Sequence, residues 1–75
     1  MKIDPLMAYK IEDCFKDPVK IKFKTIDPDI GGLAMWCKEN DILFDWMRSA
    51  AYNYICGIIL EREDAAIALL KFELL

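Results

Sequence analysis

Residues 41–60 read DILFDWMRSAAYNYICGIIL, and the way they are read decides the fold. Leu43, Trp46, Met47, Ala50, Ala51, Tyr54, Ile55, Ile58 and Ile59 recur at three- and four-residue intervals, the spacing of one side of a helix. On that reading the middle of the chain is a single long helix and the domain is mostly α. Three features oppose it: Asn40-Asp41 as a stop, the alternation Phe44-x-Trp46, and the isoleucines gathered around Gly57. They favour a hairpin, with strands over 42–48 and 54–61 and a turn within 49–53. The alternation is imperfect, and the hairpin is the reading adopted.

Downstream, Glu61-Arg62-Glu63-Asp64 interrupts the apolar run before a helix-forming stretch begins, so a strand feeds directly into a helix. That helix carries two apolar arcs. Ile67, Leu70 and Leu74 mark one, and Ala65, Leu69 and Phe72 the other. Together they are wider than the roughly 100° stripe that one sheet requires. One arc is expected to cover the sheet and the other to meet a partner, with Leu69 and Phe72 assigned to the partner side.

Upstream, Val19-Lys20-Ile21-Lys22-Phe23-Lys24 alternates strictly and predicts a strand with Val19, Ile21 and Phe23 inward. Lys20, Lys22 and Lys24 then line the opposite face, either as an anion- or nucleic-acid-binding stripe or as an ordinary solvated face discouraging edge pairing. Asp27-Pro28-Asp29 predicts a helix start, with Asp27 as the cap and Pro28 at the first helical position. Ile30, Leu33, Ala34, Trp36 and Cys37 supply its apolar side. Gly31-Gly32 costs this helix about 1 kcal/mol per glycine, and close packing on a sheet is the expected reason for the pair. Asp4-Pro5 marks a further start and favours a short helix over 5–15, ended by Asp17-Pro18, over a strand in which Met7, Tyr9 and Ile11 alternate.

The 75 residues form one expected domain: a helical extension over 1–17 and a core over 18–75. The predicted class is α+β, a small two-layer sandwich ordered (α)-β-α-β-β-α with a short, mainly antiparallel sheet. The mostly α fold is the alternative. Hydrophobic residues make up 56% of the chain, more than so small a domain hides easily. Self-association is therefore expected, a homodimer first, with Trp36, Trp46, Met47, Tyr52, Leu69 and Phe72 as candidate interface residues.

The formal charge of −3 argues against a dedicated nucleic-acid binder. Cys14, Cys37 and Cys56 are lone and widely spaced, and there is no histidine, so neither a zinc nor a redox motif is present. Reduced, half-buried thiols are expected. Met1-Lys2-Ile3-Asp4-Pro5 lacks the apolar core of a signal peptide, and no apolar run reaches membrane-spanning length, so a cytoplasmic protein without membrane contact is expected.

Glu63-Asp64-Ala65-Ala66, then Leu69-Leu70-Lys71-Phe72-Glu73-Leu74, after a strand, resembles small α/β proteins of tailed bacteriophages that end in this way. Trp36-Cys37-Lys38-Glu39-Asn40 and Phe44-Asp45-Trp46 match their upstream helix end and Trp-bearing strand. The resemblance covers 19–74 and implies the order β-α-β-β-α. Its motifs are structural, and the family has no established activity to carry over. It suggests a phage-encoded modulator of a protein of a bacterial host.

Catalytic chemistry finds little material. Ser49 and Thr25 are the only hydroxyl nucleophiles besides tyrosine, and neither lies in a motif. Most of the acidic pairs sit at predicted helix ends, and Glu39, Asp41 and Asp45 lack the spacing of a calcium loop. The expected function is a non-catalytic protein-binding module without cofactor or metal. The alternatives are a nucleic-acid accessory protein using the Lys20, Lys22 and Lys24 face with Trp46 or Tyr54 stacking bases, and a small virion or assembly component.

Overall fold

A computed structural model describes residues 15–24, 29–51 and 54–72. In chain order these form β1 (Pro18–Lys22), α1 (Ile30–Glu39), β2 (Phe44–Arg48), β3 (Ile55–Glu61) and α2 (Arg62–Lys71). All but Phe15 of the helix expected over residues 5–15 lies outside the described residues, as do Tyr52, Leu74 and the Asp27-Pro28 pair. The sheet order is β1-β3-β2, with both outer strands antiparallel to β3. The fold is α+β, and the middle of the chain is a hairpin.

The imperfect alternation of that hairpin has a local cause. Met47 pairs with Gly57 but Arg48 pairs with Ile55, which leaves Cys56 as an extra residue on β3. Such a bulge shifts the inward phase by one position and bends the strand. Beyond it the alternation is regular: Ile58 and Leu60 are buried, whereas Ile59 and Glu61 turn to the other face.

The register stacks the inner face in rows. Val19, Leu60 and Phe44 form one row, and Ile21, Ile58 and Trp46 the next. Leu33, Ala34 and Cys37 of α1 and Ala65 and Ala68 of α2 close the core over them. The alanines leave room for α2 to lie close to the sheet. Phe44 and Trp46 meet edge to face at 5.2 Å between centroids, the arrangement that aromatic quadrupoles favour. Trp46 Nε1 is buried with no hydrogen-bond partner among the described residues, a cost of about 1–3 kcal/mol that the packing of its ring outweighs.

Helix α1 begins one turn-signal later than the sequence reading placed it. Asp29, not Asp27, is the cap, and its Oδ1 accepts the Gly32 N–H at 3.0 Å. The glycine pair is not a helix–sheet contact. A Cβ at Gly32 would occupy the space of the Asp29 carboxylate, whereas one at Gly31 would meet nothing within 4 Å. The helix ends in a Schellman arrangement. Asp41 sits in the left-handed region at φ 55, its N–H donates to the Lys38 carbonyl at 3.3 Å, and Ile42 N–H donates to the Cys37 carbonyl at 2.8 Å.

Gly57 is required for a different reason. A Cβ there would collide with the Ile21 carbonyl of β1 and lie 2.9 Å from the Met47 sulfur. Gly31→Ala is therefore expected to stabilise the protein by about 0.5–1 kcal/mol, raising the thermal midpoint by several degrees. Gly57→Ala is expected to destabilise it by about 1–3 kcal/mol. Urea unfolding followed by circular dichroism measures both.

Candidate functional site

The junction of β3 and α2 has no linker. Glu61 keeps an extended backbone, and Arg62 opens the helix. Glu61 makes no capping bond to α2. Its Oε1 instead accepts the backbone N–H groups of Lys16, at 2.9 Å, and Asp17, at 3.3 Å. In return, Arg62 N–H donates to the Asp17 carbonyl at 3.1 Å, while Arg62 Nε reaches Asp17 Oδ2 at 2.7 Å. This clamp ties the entry of β1 to the start of α2. The Arg62 guanidinium holds the Asp17 carboxyl below its usual range. Both side chains are exposed, so solvent screens the ion pair and its weight rests on the backbone bonds.

Glu61, Glu63 and Asp64 make this end of the sheet acidic. Asp64 is pushed above its usual range by desolvation first and then by Glu63 and Glu61. Among the described residues no group of three or more acidic or cysteine side chains converges to hold a metal ion. At the other end, Lys22 and Arg48 flank a groove that Met47, Tyr54 and Cys56 also line. Among the described residues neither cation is in an ion pair.

The two cysteines described are both free thiols. Burial pushes the Cys37 thiol from 9.0 up to about 12, and Asp64 acts in the same direction. Such a thiol is a core residue rather than a nucleophile. Cys56 is half-buried at the bulge. Because the fold favours the neutral Cys37 thiol, its contribution is complete below about pH 9 and is lost as the pH rises towards 12. Wild-type stability is expected to fall more steeply across that window than that of Cys37→Ala, as read from urea midpoints. Alkylation mapped by mass spectrometry is expected to label Cys56 well before Cys37.

The candidate interface residues separate into two groups. Trp46 is 7% exposed and belongs to the core, because it faces inward on β2. That placement also removes it as a base-stacking residue on the lysine face. Leu69 and Phe72 pack against the core, and Phe72 meets Trp36 edge to face at 5.6 Å. They share the side of α2 on which Ala65 and Ala68 are buried. Met47 lies half-buried on the outer sheet face beside Gly57, and Tyr52 is outside the described residues. Of the five described, Trp36, Trp46, Leu69 and Phe72 thus lie on the core side, and Met47 lies apart on the outer face.

The apolar side chains left in solvent are others. Leu70 is 82% exposed and Ile67 52% exposed, one turn apart on the outer side of α2. Met35 of α1 and Tyr54 before β3 are also exposed. Helical spacing had grouped Ile67 with Leu70, but nothing in spacing says which of two apolar arcs meets the sheet. Lys20, Lys22 and Lys24 are exposed as expected. Lys20 shares a row with Ile59 and Asp45, and Lys22 with Gly57 and Met47. No described element covers this outer face, and no described helix is long and apolar enough to cross a membrane.

Compared with family models, with curated proteins and with solved structures, the chain matches none.

Proposed function

We propose that this chain is a non-catalytic protein-binding module that pairs with a second copy of itself through the outer side of α2. One observation carries the reading: Leu70 and Ile67 stand in solvent on a helix whose opposite side is already committed to the sheet. An isoleucine and a leucine placed so lose the stabilisation of burial, about 1.5–3 kcal/mol for each side chain if fully covered. The charges around them suit an antiparallel, two-fold pairing. Glu63 and Lys71 lie four residues to either side of Ile67, about 6 Å along the axis. A two-fold axis beside Ile67 sets Glu63 of each copy against Lys71 of the other. Ala66, small and exposed between them, lets the helices approach.

The resemblance to phage proteins extends this reading to a modulator of a bacterial host protein, acting in the cytoplasm. The nucleic-acid alternative has less support, since Trp46 is inward and Tyr54, exposed beside Lys22 and Arg48, is the one aromatic of its proposed stacking pair left near the lysines.

Sedimentation over a hundredfold concentration range tests the pairing. The wild-type chain is expected to form a dimer, and the double variant Ile67→Glu, Leu70→Glu to remain monomeric with an unchanged circular dichroism spectrum. A wild-type monomer throughout, or a dimer that survives both substitutions, would overturn the reading. Larger assemblies would point instead to a virion or assembly component.

A further inference from the structure

The sheet has two edges, and they are finished differently. In an antiparallel pair the main-chain groups of alternate residues point to the neighbour and those between them point away. Phe23 N–H donates to the Cys56 carbonyl at 2.9 Å. In the same register, Ile21 bonds with Ile58 and Val19 with Leu60. Lys20 and Lys22 therefore aim their N–H and C=O groups out of the free edge of β1. Among the described residues no hydrogen bond fills them.

On the other side, β3 has already used Ile58 and Leu60 on β1, so it bonds Asp45 and Met47 of β2 through Ile59 and Gly57. That leaves Phe44 and Trp46 pointing off the β2 edge. There the Asp45 carboxylate folds back, and its Oδ1 accepts the Trp46 N–H at 2.8 Å. The bulge between Met47 and Arg48 also breaks the repeat. The β2 edge is closed by its own side chain and by a change of register, and among the described residues the β1 edge is open.

From this asymmetry we propose that β1 is a docking edge for an extended acidic segment of another protein, added as a fourth strand. The main chain of the segment fills the groups of Lys20 and Lys22. Side chains on one strand face repeat every second residue, about 6.6–6.8 Å apart, so carboxylates at alternate positions of the segment meet Lys20, Lys22 and Lys24. The residues between them fall on the inner side and extend the core past Val19 and Phe23, both only half-buried where the sheet stops. The segment this edge selects thus alternates acidic and apolar residues.

Charge complementarity selects the occupant. Lysines on an edge strand usually discourage pairing, but here the deterrent depends on sign. Two β1 edges brought together would set lysine against lysine, which is destabilising for directly opposed charges, so a second copy is refused. The one carboxylate in the Lys20 row is that of Asp45, with Ile59 between them. Two strand spacings, roughly 9.5 Å, separate it from the lysine. The edge is a different surface from the outer side of α2, so this inference stands whether or not the chain is dimeric.

The probe is a fluorescein-labelled peptide of about ten residues that alternates glutamate and valine, titrated with the full chain at low salt and followed by anisotropy. Saturable binding that weakens as salt rises is expected, and Lys20→Glu with Lys22→Glu is expected to weaken it by about tenfold or more. Two further peptides carry N-methyl groups on every second amide, in opposite phase. The phase that blocks the amides facing β1 is expected to abolish binding, and the other to preserve it. Hydrogen exchange on the wild-type chain is expected to slow at the Lys20 and Lys22 amides and to be unchanged at Trp46. Absence of binding at low salt, equal binding of both methylated peptides, or protection at Trp46 in place of Lys20 and Lys22 would overturn the proposal.

Discussion

The structure depends on the pairing of β3 along both of its sides. It is the only described strand with neighbours on two edges, and every other described element touches it or packs on the face it organises. Two constraints follow. The face towards the helices must be apolar, which Ile58 and Leu60 satisfy with no exposed surface. The face away from them must let two strands close in, and at Gly57 the approach of β1 and of the Met47 side chain leaves no room for a Cβ. The run Cys56-Gly57-Ile58-Ile59-Leu60 thus combines a bulge, a close approach and a core in five residues.

Much of this architecture could be read in advance, for reasons that particular residues make plain. The strict alternation of Val19 to Lys24 is a signal of period two that no helix produces, and β1 overlaps it from Val19 to Lys22. The hairpin was harder because the bulge at Cys56 breaks its phase, so a helical spacing fitted almost as well. The strand-to-helix switch at Glu61 showed itself as a block of charge. The α1 start was misplaced by two residues because Asp27 and Asp29 are equivalent as capping types. The missing Cβ of Gly32 makes room for the Asp29 carboxylate, a pairing that capping type alone does not reveal.

The surfaces were less legible than the fold. An apolar residue on a helix is a core residue or an interface residue according to its azimuth, and azimuth is set by packing that spacing alone does not specify. Leu69 and Leu70 are neighbours of identical chemistry, one against the core and one 82% exposed. The closing of the β2 edge was out of reach for a similar reason. Asp45 looks like any polar strand residue until the sheet order shows that Trp46 N–H points off an edge and that the carboxylate beside it can accept that proton.

The clamp at the Glu61–Arg62 junction has a consequence for the order in which the fold assembles. Its hydrogen bonds join groups 44 or 45 residues apart in sequence, whereas the hairpin and α2 are built from neighbours along the chain. Closing a long loop costs entropy before any contact returns it, and domains rich in such contacts fold slowly. The β2-β3-α2 unit is therefore the natural early structure and β1 the late arrival. During synthesis β1 leaves the ribosome first yet has no partner until β3 follows it. Through that interval Lys20 and Lys22, with Lys24 just beyond the strand, oppose its pairing with other chains.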